Sequence, residues 1–295
     1  MLIPLVRAVL AASILGSGHA PDRVRFLSNP EARVTDLVLV AHEDDWQLFM
    51  GDVLTDRRRL KDRTIFVYLT AGDDGRDSAY WRTRERAALA STRLETSLAD
   101  TAGETCKFVA VATHSIWRCE GRGVASYFLR LPDGRRNGRG FATHQFESLW
   151  KLRRAPNASI SAIDESSTYA GWRDLLLTIS AIVADSSDAG VYIHANDPSV
   201  VINPHDHTDH RVAGLLADQL RRERHWMASY YVGYALATRA DNLSSRRRQT
   251  KTSLLLLYDG EMTRVHREWS AFREHPKFYA QCLARTYHRT PRPKR

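Results

Sequence analysis

Residues 37–47 read Leu37-Val38-Leu39-Val40-Ala41-His42-Glu43-Asp44-Asp45-Trp46-Gln47. The opening run of apolar residues is too short for a helix. It has the character of a strand buried on both faces, as strands of a parallel sheet are. The run ends in one histidine and three consecutive acids. Adjacent carboxylates repel one another, and a carboxylate packed at a strand end must be paired or hydrogen-bonded. A polar turn after a strand is the commonplace account of such a stretch, and the rest of the chain has to weigh against it.

Working outward, Thr64 to Thr70 is a second β-rich apolar run, closed by the turn signal Ala71-Gly72-Asp73-Asp74-Gly75. Phe108 to Ala112, Gly190 to His194 and Met227 to Ala235 are further strand candidates. Helical spacing lies between them: Leu48, Met50, Val53 and Leu54; Tyr80 to Leu98; Leu175 to Val183; and Thr208 to Leu220 with Val212, Leu215, Leu216 and Leu220. This alternation predicts an α/β fold, a Rossmann-like open and mostly parallel sheet with helices on both faces. Residues 115–170 carry many Gly, Arg, Ser and Asn residues around short apolar pieces and read as loops and small strands decorating the sheet. Arg246-Arg247-Arg248, beside Asn242 and Ser244-Ser245, also reads as a loop. Trp269 to Tyr287 suits an amphipathic helix, followed by a basic, proline-containing tail. With no internal repeat or low-complexity linker, residues 21–295 read as one domain.

The 295 residues can bury a substantial core, and 43% hydrophobic with 26% charged residues is the balance of a folded globular chain. No apolar stretch reaches the roughly 18–20 residues of a membrane span. Residues 1–20 have the layout of a secretory signal peptide: Arg7, the apolar run Ala8 to Leu15, then small residues ending in Gly18-His19-Ala20. A secreted or periplasmic location is therefore expected, a cytoplasmic one being the alternative. The three cysteines, Cys106, Cys119 and Cys282, form no CxxC pair, which argues against a cysteine zinc site. In an exported chain Cys106 and Cys119 could close a local disulfide. The net charge of +9 suits an anionic partner, but the arginines are scattered, so nucleic acid is not expected to be one.

A second unusual stretch is His205-Asp206-His207-Thr208-Asp209-His210. His207 and His210, three apart at a helix start, sit on neighbouring positions of one face. A solvated, well-capped helix N-terminus is the alternative. In an open α/β sheet, loops at the carboxyl ends of parallel strands converge on one crevice, so the two stretches can meet. Two imidazoles and a carboxylate suit zinc with a position left for water. A carboxylate outside the coordination is then needed to take the water's proton. Asp44 and Asp45 are adjacent and can divide those tasks.

Ala41-His42-Glu43-Asp44-Asp45 and His207-Thr208-Asp209-His210 resemble the A-H-P-D-D and H-x-D-H motifs of the PIG-L/LmbE-like family of zinc-dependent de-N-acetylases, including its secreted members such as glycopeptide-antibiotic deacetylases. The resemblance runs from about residue 34 to residue 235 and matches in motif order and context. It implies His42, Asp45 and His210 as ligands of Zn2+ or another divalent transition metal, and Asp44 as general base. It implies that His207 holds the oxyanion or protonates the leaving amine, with Asp209 orienting a histidine. Arg82, with Arg84 as an alternative, falls where the family places a substrate-contacting arginine, and Asn196 and Asp197 are expected beside the substrate site. Two positions depart from the pattern. Glu43 replaces a turn-stiffening proline, and Trp46 replaces an acid, where it can stack on a sugar ring or serve as packing. The implied activity is hydrolysis of an N-acetyl or longer N-acyl group on an amino sugar or glycoconjugate. A metal amidase or esterase on a non-sugar substrate, or a non-catalytic anion- or glycan-binding protein, are the alternatives. The oligomeric state is not legible.

Overall fold

Alternation decides how the first strand is used. In β1 (Thr35–Val40) every residue is buried, with Leu37 and Leu39 packed into one core and Val38 and Val40 into another. A strand buried on both faces needs a layer on each side, and this computed structural model has them. It describes residues 34–58, 63–95, 104–121, 123–184, 190–267 and 270–291; the expected signal segment and the extreme basic tail lie outside these. The other strands are β2 (Arg63–Thr70), β3 (Thr105–Val111), β4 (His114–Gly121), β5 (Val124–Leu131), β6 (Ile160–Ser161), β7 (Thr168–Tyr169), β8 (Val191–Asn196), β9 (Met227–Tyr231) and β10 (His288–Arg289). The α-helices are α1 (Asp45–Phe49), α2 (Gly51–Arg58), α3 (Ser78–Glu95), α4 (Leu149–Arg154), α5 (Trp172–Ala184), α6 (Thr208–Arg224), α7 (Ser245–Val265), α8 (Ala271–Glu274) and α9 (Pro276–Leu283).

The main sheet has the order β10-β9-β8-β1-β2-β5-β4-β3. From β9 to β5 all neighbours are parallel, while β10, β4 and β3 are antiparallel additions. Leu175, Leu176 and Ile179 of α5 and Val212, Leu216 and Leu220 of α6 cover one face; Leu48 and Phe49 of α1, Ala88 of α3 and Leu254 of α7 cover the other. The α/β, mostly parallel architecture with helices on both faces is the expected one. The chain leaves β1 for β2 on one side and later adds β8 on the other, so the carboxyl end of β1 is a switch point where a crevice opens.

Four local readings are corrected. First, residues 124–131 form a buried central strand parallel to β2, not a decoration. Arg130 disguises it, but its guanidinium is neutralised by Glu85 and Asp164. Second, residues 108–112 belong to β3, a largely exposed edge strand that pairs antiparallel with β4, not a buried strand of the parallel set. Cys106 and Cys119 face each other in that pair and are bonded. Third, Arg246 to Arg248 open the long helix α7, whose N-cap Ser244 accepts a hydrogen bond from the Arg247 amide and whose Leu254, Leu255, Tyr258 and Met262 are buried. Fourth, the helix expected over Trp269 to Tyr287, whose first residue lies outside the described ones, is split from Ser270 onward into α8 and α9, because Pro276 suits the first turn of a new helix and ends the old one. Among the described residues no helix is long and apolar enough to cross a membrane.

Candidate metal centre

The strand end after β1 is folded by its own acids. The Asp45 Oδ2 accepts the backbone N–H groups of Ala41 (3.1 Å) and His42 (2.9 Å), which tightens the turn into α1. That leaves Oδ1 aimed at two histidines. It lies 2.9 Å from His210 Nε2 and 3.6 Å from His42 Nδ1, and the two nitrogens are 3.2 Å apart. All three side chains are buried. His210 comes from the first turn of α6, whose N-cap His207 accepts the Asp209 amide on Nδ1.

The surroundings set the proton positions. Asp206 lies 3.0 Å from His210 Nδ1, so that nitrogen carries the proton and Nε2 presents a lone pair. His42 Nε2 points between the carboxylates of Asp133 (3.6 Å) and Asp209 (3.7 Å), beyond hydrogen-bond distance, and their negative charge favours the proton on that nitrogen and the lone pair on Nδ1. With neutral rings, two lone pairs and a carboxylate oxygen converge and require a positive charge between them, which protons on the histidines supply when no metal is bound. Burial alone would lower the histidine pKa values. Asp45, helped by Asp209 and Asp133 for His42 and by Asp206 for His210, instead raises both, His210 to about 10. Burial opposes ionisation of Asp45, but His210 and His42 hold its pKa well below the usual range. The triangle edges of 2.9, 3.2 and 3.6 Å are slightly tighter than a face of a metal tetrahedron, whose edges are about 3.3–3.6 Å for bonds of about 2.0–2.2 Å, so a small outward movement of the donors would seat an ion. The donor set fits a divalent metal, which His42 and His210 can share with Asp45 in this triangle or with the nearby His207.

His207 lies beside this triangle, its ring centroid 4.6 Å from that of His42. Burial, then repulsion from His42 and His210, holds its pKa well below the usual value, so the ring is neutral. With Nδ1 accepting the Asp209 amide, Nε2 carries the proton. The Asp209 carboxylate accepts the Gly134 amide at 2.8 Å and lies 3.8 Å from His207 Nδ1. A Cβ at residue 134 would meet Asp209 Oδ1 at 2.5 Å, so that close approach needs glycine.

Asp44 stands at the edge of a cleft of about 430 Å³ whose lining includes His42, Asp45, His207 and Asp133. Arg84 binds Asp44 Oδ1 through Nη2 at 2.6 Å, donates Nη1 to the Gly72 carbonyl at 3.1 Å, and places Nε 3.0 Å from Glu43 Oε2. Burial pushes the Glu43 carboxyl up to about 8 against the pull of Arg84. The arginine of the site is thus Arg84. Arg82 is exposed on α3 beside the Trp81 ring and does not line the cleft. Trp46 is 0% exposed, its indole N–H donating to the Tyr68 hydroxyl at 3.0 Å and its ring against Phe66. It is packing, with no face left for a sugar. Asn196 and Asp197 are buried at the end of β8 and do not line the cleft; Asp197 is held bidentately by Arg289 of β10. Sequence reasoning missed Asp133 and the task of Asp206. Asp206 lay inside the quoted histidine motif, and an acid two residues beyond a parallel strand is the signal for Asp133.

Residues 37–220 match the family model described as GlcNAc-PI de-N-acetylase, PIG-L. No curated protein matches the chain. Among solved structures, a deacetylase of the teicoplanin biosynthesis pathway is 13% identical, with 79% of this chain and 86% of that one covered and a TM-score of 0.48. The N,N'-diacetylchitobiose deacetylase of Pyrococcus horikoshii is 15% identical, with 86% and 78% covered and a TM-score of 0.42. A 4-carboxy-2-hydroxymuconate hydratase from Pseudomonas putida is 14% identical, with 82% and 88% covered and a TM-score of 0.40. With its family match covering more than half its length, from the first strand through the second histidine motif, the chain belongs to the PIG-L, or GlcNAc-PI de-N-acetylase, family.

Proposed function

We propose that this chain is a metal-dependent hydrolase that removes an N-acetyl or N-acyl group from an amino sugar or glycoconjugate, with zinc the ion held by His42, Asp45 and His210. The observation that carries the reading is the convergence of His42 Nδ1, Asp45 Oδ1 and His210 Nε2 within 2.9–3.6 Å, with the carboxylate of Asp44 at the edge of the same cleft. A divalent ion there supplies Lewis acidity toward water and the amide carbonyl. The protein supplies the proton transfers. Arg84 occupies Asp44 Oδ1, and Oδ2, with no hydrogen-bond partner among the described residues, takes the proton of the attacking water. The new C–O bond puts negative charge on the former carbonyl oxygen, and the neutral His207 donates its Nε2–H toward it. As the C–N bond breaks, the proton on Asp44 passes to the departing amine nitrogen, which restores the carboxylate. Asp209 and Gly134 fix His207 for this task. The chain acts outside the cytoplasm; the Cys106–Cys119 disulfide and the signal-like residues 1–20 support that placement.

The test is acetate release from N-acetylated amino sugars, chitooligosaccharides and sugar-bearing glycopeptides, comparing wild type with Asp44→Asn at equal metal content. Release by the wild type that is lost in the variant supports the reading. Equal turnover by the two proteins assigns the base wrongly, and no release from any sugar, with metal bound, removes the amino-sugar substrate.

A further inference from the structure

The loop after β5 does more than deliver Asp133 and Gly134 to the metal centre. Its next two residues, Arg135 and Arg136, are exposed and line the cleft. Unlike Arg84 at the cleft floor, neither meets a carboxylate side chain among the described residues. Arg135 holds a left-handed backbone (φ 58°), a conformation that disfavours any residue with a Cβ. The loop fixes it there: the Arg135 amide donates to Asp133 Oδ1, and Asp133 in turn donates its own amide to the buried Asp73. The Arg135 guanidinium lies over the Phe141 ring at 4.9 Å, and that of Arg136 over Tyr234 at 5.6 Å. Both rings line the same cleft. Arg136 is steadied further, its Nε and Nη2 donating to the His205 carbonyl at 3.3 and 2.9 Å. The exposed acid at the mouth, Asp74, is matched by Arg76 at 3.7 Å.

Two guanidinium groups set over aromatic rings and unmatched by acid make an anion receptor: Arg135 offers its planar fork, and Arg136, its Nε–Nη2 edge held by the His205 carbonyl, offers its remaining donors and its charge. Backbone strain at such a position marks function when the surroundings over-determine it. We infer that Arg135 and Arg136 select substrates whose amino sugar carries a carboxylate or a phosphate group outside its N-acetyl group. The inference rests on the proposed amino-sugar reading for the identity of the sugar, while the anion receptor itself is independent of turnover.

The experiment has a binding arm and a kinetic arm. Binding of glucose 6-phosphate, glucuronate and glucose to the metal-loaded protein is measured by calorimetry. The kinetic arm measures acetate release from N-acetylglucosamine 6-phosphate, N-acetylmuramic acid and N-acetylglucosamine. The wild type is expected to favour at least one charged sugar over its neutral counterpart by about tenfold or more, the scale of one or two charge-assisted hydrogen bonds. Whether phosphate or carboxylate is favoured identifies the anion. In Arg135→Gln/Arg136→Gln the preference collapses, through KM rather than kcat, and the neutral sugar changes less than about twofold. Arg135→Gly relieves the left-handed strain, so it keeps or raises the Tm while weakening the charged sugar. A structural arginine would instead lose Tm on that change. Equal affinity of the wild type for charged and neutral sugars, or a preference that survives the double variant, overturns the inference. Discrimination in binding with no deacetylation of any sugar sustains the receptor and overturns the proposed activity alone.

Discussion

Glu43 stands where the family motif has proline, and its burial makes a quantitative prediction. The side chain is 0% exposed, and neither carboxyl oxygen has a hydrogen-bond partner among the described residues. Its neighbour Arg84 already serves Asp44 and the Gly72 carbonyl, so one guanidinium faces two acids. A second full negative charge there is uncompensated, and the carboxyl holds its proton up to about 8 against an ordinary 4.5. The sign follows from linkage. Below about pH 4.5 both folded and unfolded chains are protonated at Glu43, and no penalty exists. As pH rises toward 8 the unfolded chain releases the proton and the folded chain keeps it. Folding stability therefore falls by about 1.36 kcal/mol per pH unit from this group, reaching about 3 kcal/mol at pH 7. Glu43→Gln keeps the shape and removes the titration. Urea unfolding of chelator-treated wild type and variant, followed from pH 4.5 to 8, should show the variant gaining about 3 kcal/mol on the wild type by pH 7. A difference that is flat with pH, or a variant that loses ground as pH rises, refutes the argument. The second result would mean that Glu43 is ionised and stabilised by Arg84.

Other perturbations separate the tasks of individual residues. Asp44→Asn should keep bound metal, read by elemental analysis, and lose about 10²–10⁴-fold in kcat, the usual contribution of a positioned base. Asp206→Asn removes the acceptor on His210 Nδ1 and should weaken metal binding about 10–100-fold in a competitive chelator titration. Trp46→Phe loses the bond to Tyr68, so it should cost about 1–2 kcal/mol in unfolding experiments and leave KM unchanged. A raised KM would restore Trp46 to the substrate site.

The sequence carried the parts of the site that are local. The run from Leu37 to Asp45 and the cluster from His205 to His210 each combine a strand or helix signal with ligand-type side chains at close spacing. Parallel-sheet topology then brings them together. What failed was the phase and pairing of elements. Arg82 and Arg84 lie on different sides of α3; Arg84 is one turn before the buried Ala88, and Arg82 one turn before the exposed Arg86. That stripe was available as a signal. The strand β5 was hidden because Ser126 and Arg130 break its apolar pattern, and only the long-range pair with Glu85 makes Arg130 tolerable inside. With β5 unread, Asp133 and the arginines after it could not be placed at the cleft. Trp46 shows the same limit: one residue past Asp45, a short helix turns it into the core rather than toward the mouth.

The most direct test of the account is a titration of zinc into chelator-treated protein, with bound metal and acetate release from an N-acetylated amino sugar measured on the same samples. Activity should rise with the first equivalent, and His210→Ala should abolish both the binding and the activity. Acetate release by metal-free protein, or tight zinc binding that survives loss of His210, would contradict it.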